Sequence, residues 1–81
     1  TENDRRRPNS LLAALAWEGG NSVARVLRNE LETVHGIAVS LDRVRADLRV
    51  LQDVGALRLA DDLVQMTAEG REHVQRLREL F

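Results

Sequence analysis

No cysteine occurs anywhere in the 81 residues. Disulfides, thiolate nucleophiles and thiolate metal sites are therefore excluded, and the composition suits a reducing cytosol. Aromatic residues are almost as scarce, being Trp17 and Phe81 alone. Such a set cannot supply a platform that stacks the bases of a single strand. Lysine is absent as well: all 12 basic residues are arginine, and 13 acidic ones leave a net charge of −1. That balance gives no overall attraction for a polyanion, so any affinity for nucleic acid must come from local clustering. No uncharged run is long enough to span a bilayer, and no signal-peptide pattern precedes the first apolar stretch. A cytoplasmic protein is expected.

With 43% hydrophobic residues the chain is rich enough in apolar side chains to form one globular domain. TENDRRRP, residues 1–8, reads as a flexible basic arm leading into a domain over 9–81, with Pro8 near the first helix start. Asn9 or Ser10 can cap that helix, in which Leu11, Leu12, Leu15 and Ala16 form an apolar face ended by Gly19 and Gly20. Asn21 or Ser22 then caps a second helix with Val23, Val26, Leu27, Leu31 and Val34 at helical spacing, stopped by Gly36. Ile37, Ala38 and Val39 read as a short strand.

Ser40 caps the third helix, whose inward side carries Leu41, Val44, Leu48, Leu51 and Val54. Beyond Gly55 the sequence alternates. Leu57 and Leu59 face one way on one arm and Val64 and Met66 on the other, with Asp61 and Asp62 between them. This predicts a tight hairpin. Thr67 can cap a last helix with Val74, Leu77 and Phe81 on its stripe, assisted by Leu80. The predicted order is α-α-β-α-β-β-α, mostly helical with a small antiparallel sheet. That is the order of a winged helix-turn-helix, the hairpin being the wing.

LLAALAWEGGNSVARVLRNEL, GIAVSLDRVRADLRVLQDVGALRL and VQMTAEGRE together resemble a small winged-helix family of Mu-like phages and prophages. These are grouped with arsenical-repressor-like regulators. The resemblance covers residues 8–73 and rests most on the VS-x-x-x-V-R-x-D-L-x-x-L pattern and the T-x-x-G-R closing. It implies a DNA-binding regulator. The metal-sensing cysteines of true arsenical repressors have no counterpart, so metal sensing is rejected. The two-residue wing turn is short for the family, and it is acidic.

The inward residues of the third helix leave Arg43, Arg45, Ala46, Arg49 and Gln52 outside. In this architecture the first two turns of that helix reach the major groove, so Ser40 and Arg43 stand at the entering end. Arginine can fork onto guanine or grip phosphate, and Ala46 would let the helix approach closely. The competing reading is a solvated face laced by pairs such as Asp42–Arg45 and Arg49–Asp53. Arg25 and Arg28 on the second helix are candidates for phosphate, and Arg5, Arg6 and Arg7 for a minor groove or phosphates. Asp61 and Asp62 would repel phosphate. Removing Asp62 is expected to leave specificity alone and raise affinity modestly.

Val74, Leu77, Leu80 and Phe81 exceed what one buried face needs, which marks them as a candidate homodimer interface. The alternative is packing onto the first helix near Leu12 and Trp17. His35 and His73 lack carboxylates at metal-ligand spacing, and Ser10, Ser22 and Ser40 read as caps rather than nucleophiles. Neither an enzyme, a cofactor nor a bound metal is expected. Two functions are compatible with the residues. One is a regulator that occupies sites on double-stranded DNA; the other is a winged-helix module that docks a protein.

Overall fold

The structure, a computed structural model, describes residues 2–79. Its elements are α1 (Glu2–Trp17), β1 (Asn21–Val23), α2 (Ala24–Thr33), α3 (Leu41–Asp53), β2 (Leu57–Ala60), β3 (Leu63–Met66) and α4 (Ala68–Glu79). The three strands form one antiparallel sheet in the order β1-β3-β2. No described helix is long and apolar enough to cross a membrane.

The hairpin forms as the alternation predicts. Leu57 pairs with Met66 and Leu59 with Val64, and Ala60 pairs with Leu63 across the two-residue turn Asp61–Asp62. Asp61 takes a left-handed φ of 54°, a conformation that aspartate tolerates better than most residues. Leu57, Val64 and Met66 are buried, while Arg58 and Gln65 face solvent.

The third strand lies elsewhere than the sequence suggests. Residues 37–39 are not a strand: the N–H of Ile37 bonds back to the carbonyl of Leu31 at 2.8 Å, closing the end of α2. Ile37 is buried there and pairs with no strand among the described residues. Instead Asn21–Val23 pairs with β3, in the register Asn21↔Gln65, Ser22↔Val64 and Val23↔Leu63. The consecutive glycines create this strand. Gly19 and Gly20 have φ of 83° and 91°, and the turn they make lays the chain against the free edge of the hairpin. The carbonyl of Gly20 accepts the N–H of Met66 at 2.8 Å. Asn21 and Ser22 are thus strand residues rather than caps, and Val23 stands at the N-cap of α2 without a side-chain hydrogen bond.

The second departure is at the amino end. α1 begins at Glu2 and runs through Pro8, well ahead of the caps expected at Asn9 or Ser10. Proline removes one backbone donor inside a helix, so the turns before it need support from outside. Arg7 supplies it. Its side chain is buried and hydrogen-bonds through Nε and Nη2 to the Asp47 carboxylate on α3, and through Nη1 to Asp4 at 2.9 Å. Arg6 donates to the carbonyl of His35 at 3.3 Å. Residues 2–8 are therefore tied to the domain as helix rather than leading into it as an arm.

The core takes Leu11, Leu12, Ala14 and Leu15 from α1, Ala24, Leu27 and Leu31 from α2, and Val44, Leu48 and Leu51 from α3. Val34 and Val54, both placed inward by periodicity, are exposed because each helix ends one residue before them. The closing T-x-x-G motif also has a steric origin. Thr67 Oγ1 accepts the N–H of Gly70 at 3.1 Å and donates to the carbonyl of Gly55 at 2.6 Å. This pins α4 so close to the preceding turn that a Cβ on Gly70 would stand 2.0 Å from the carbonyl oxygen of Ala56. Only glycine fits.

Candidate nucleic-acid interface

The geometry of the exposed helix face starts from its cap. Ser40 Oγ accepts the N–H of Arg43 at 3.1 Å, which fixes the first turn of α3. With Val44, Leu48 and Leu51 turned inward, Arg43 and Arg49 stand exposed and make no ion pair among the described residues. The Arg49–Asp53 pair weighed from the sequence is therefore not formed. Ala46 is half-buried. Gln52 is committed elsewhere, its Oε1 accepting the N–H of Leu59 at 2.7 Å on the outer edge of β2.

Arg45 is not free. Its Nε donates to Asp62 Oδ1 at 2.9 Å and its Nη2 to Asp62 Oδ2 at 2.7 Å, a two-point fork across to the hairpin turn. Asp42 lies 3.4 Å from Nη1. The hydrogen bonds from Arg45 hold the Asp62 carboxyl below its usual range, and Asp62 in turn raises the guanidinium, so both stay charged. Asp62 is thus compensated inside the molecule, whereas Asp61 beside it is exposed, so only half of the acidic turn departs from its reading as a repulsive tip.

Arg25 on α2 is exposed and Arg28, half-buried, donates to Asn29 Oδ1 at 3.0 Å. Of the arginine triplet, Arg7 is spent on Asp47, whereas Arg5 and Arg6 line a groove between α1 and α4 with Ala13, Leu77 and Arg78. Arg7 is therefore lost to any basic band running from the triplet to α3. Arg58, the wing's only basic residue and by sequence not a strong DNA contact, belongs to a polar row that the sequence does not show. Arg58, Gln65 and Asn21 are exposed and in register across β2, β3 and β1. Alternation in the hairpin signals Gln65, but Asn21 joins the row only because β1 lies where it does.

The candidate dimer residues divide. Val74 belongs to the core, Leu77 is half-buried, and Leu80 and Phe81 lie outside the described residues. α4 packs against α1, which uses Val74 for the monomer's own interior. Trp17 does not take part, being 80% exposed. His73 bonds to Asn9 Oδ1 at 3.0 Å, and among the described residues no group of three or more His, Cys, Asp or Glu could hold a metal.

Trp17 borders a separate cleft with Ala13, Val34 and Glu30. Burial, then the hydrogen bond and repulsion from Glu18, push the Glu30 carboxyl up from 4.5 to about 7. The folded chain therefore holds a proton there that the unfolded chain releases. Stability from this site is full below the unfolded value, declines as pH rises towards the folded one, and is flat beyond it. Glu30→Gln is expected to flatten that decline and to raise the thermal midpoint relative to the parent at about pH 8. Thermal melts across this range check it; parallel profiles for the two proteins would count against the proton.

No family model and no curated protein matches the chain. Among solved structures, F93 from STIV, a winged-helix DNA-binding protein, superposes with a TM-score of 0.80 at 25% identity, covering 95% of this chain and 88% of that one. The fold is a winged helix. In its vocabulary α2 and α3 are the helix-turn-helix, α3 occupies the recognition position, and the β2–β3 hairpin is the wing. The strand expected between α2 and α3 falls instead between α1 and α2. Arg43, Arg49 and the Arg45–Asp62 fork lie at the recognition helix and its junction with the wing.

Proposed function

We propose that the protein binds double-stranded DNA and regulates transcription by occupying its site, without chemistry or cofactor. The observation that carries this reading is the pair Arg43 and Arg49, exposed and without an ion pair among the described residues, on a capped helix in a fold shared with a winged-helix DNA-binding protein. α3 enters the major groove by its amino end, where Ser40 and Arg43 come first. Arg45 and Ala46 follow, and Arg49 lies about a turn and a half beyond Arg43. Arg25 and Arg28 meet backbone phosphates from α2, and the row Arg58–Gln65–Asn21 offers further polar contacts from the sheet. The resemblance to regulators of Mu-like phages supports a phage or prophage setting.

The net charge of −1 bears on mechanism. Non-specific binding depends on cations facing phosphate, and here several arginines are consumed internally. Affinity for random duplex is thus weak, and discrimination rests on a few directed contacts. Selection from a random duplex pool at low salt should enrich a short motif containing guanine. Retention of no duplex at low salt would sink the DNA reading and favour a protein-docking module instead.

A further inference from the structure

We infer that Asp62, at the turn of the wing, is a positioning residue that aims Arg45 at a guanine edge. The inference rests on the DNA-binding reading and names a specificity device within it. Asp62 is fixed from two sides. Its carbonyl accepts the N–H of Ala24, the first residue of α2, at 3.0 Å. Its carboxylate meets Arg45 on α3 through both oxygens. One residue of the wing is therefore stitched to both helices of the helix-turn-helix, and its side chain is placed before any ligand arrives.

The chemistry of the fork decides what Arg45 can still do. A guanidinium carries five N–H donors in a plane. Asp62 takes the side edge, made by Nε and Nη2. The end edge, made by the outer hydrogens of Nη1 and Nη2, remains. Its nearest competitor is Asp42, at 3.4 Å from Nη1 with a side chain that is 94% exposed, so it yields readily. Two parallel donors on that edge match O6 and N7 of guanine.

Charge makes the arrangement selective. A phosphate is attracted mainly by net positive charge, and the Asp62 carboxylate cancels most of it at Arg45. The guanine edge is neutral and offers two acceptors in fixed directions, so it loses less from that cancellation. Tethered at its side edge, Arg45 also cannot swing out to a neighbouring phosphate. Asp62 thus weakens the non-specific contact and preserves the specific one. The sequence alone suggests the opposite consequence, in which Asp62 merely repels DNA and its removal leaves specificity untouched.

The experiment compares parent, Asp62→Ala and Asp62→Asn on three duplexes: the selected site, the same site with its key guanine pair replaced, and a random sequence. Asp62→Ala should lose about tenfold of the preference for the guanine-containing site, the order of one forked base contact. Its affinity for the random duplex should stay level or rise a few-fold. Asp62→Asn keeps an acceptor without the charge and should fall between. In an Arg45→Ala background, Asp62→Ala should no longer change the preference. Thermal midpoints and far-ultraviolet circular dichroism confirm that the variants are folded, and Asp62→Asn retains the test if Asp62→Ala is not. An unchanged preference at every pair, or an equal loss without Arg45, would overturn the positioning role while leaving DNA binding intact. Failure of the parent to bind any duplex overturns both.

Discussion

Leu48→Ala is expected to destabilise the domain by about 2–5 kcal/mol, the usual range for truncating a fully buried leucine. Leu48 is 1% exposed at the middle of α3, the helix that packs against α1, α2 and β2. The loss combines the transfer of the removed methyl groups with a cavity that three elements would have to close together. Interiors are close-packed, and elements held from several sides collapse poorly into a void. At this size the thermal midpoint should fall by roughly 8–40 °C, since each kcal/mol shifts it by about 4–8 °C. Most of the margin of a small domain would then be gone.

Val54→Ala is the informative control. Val54 lies one turn past Leu51, so helical spacing alone places both on the same face, yet Val54 is 72% exposed. The helix has ended, and Val54 is its C-cap at φ −88° and ψ 4°. Its replacement should move stability by less than about 0.5 kcal/mol, as for ordinary surface positions. Comparable losses from Leu48→Ala and Val54→Ala would mean that the phase or the end of α3 is misplaced.

The contrast shows how far the sequence could be read. Period and stop residues locate α3, the hairpin and the buried face because these depend on neighbours close along the chain. The cap at Ser40 and the turn at Asp61–Asp62 are local in the same sense. β1 was not legible, because Asn21-Ser22-Val23 becomes a strand only when β3 offers it an open edge. Residues 37–39 carry a better strand composition but pair with no strand among the described residues, so they remain irregular. Pro8 marks a helix start only when nothing holds the preceding turns, and Arg7 does hold them through Asp47, 40 residues away.

The candidate site divides along the same line. Arg43 and Arg49 follow from the phase of α3 alone and are exposed as expected. Arg45 has the same phase, but its state depends on a wing that folds back across 17 residues to place Asp62 beside it. A charge count cannot distinguish an arginine that is available from one already engaged. This is why net charge near zero argued weakly against nucleic acid. What matters is which arginines are left after the internal pairs are formed.

Those left over give the second large effect. Arg43→Ala with Arg49→Ala in one protein should reduce affinity for the selected duplex by about 100-fold or more at low salt. That corresponds to roughly 1–3 kcal/mol for a base contact together with a lost phosphate contact. The two changes should separate when made singly. Arg43 stands at the amino end of α3, where base edges are reached, so its loss should relax preference at one position. Arg49 lies deeper along the helix, and its loss should weaken all duplexes alike and reduce the salt slope by about one. Neither change should disturb the fold. The cap from Ser40 uses the backbone N–H of Arg43, which alanine retains, and neither side chain has an ion pair among the described residues. The thermal midpoints should therefore match the parent while binding collapses. Titrations at two salt concentrations on the selected and a random duplex read both effects together. Unaltered binding by the double variant would remove α3 from the interface and, with it, the observation on which the function rests.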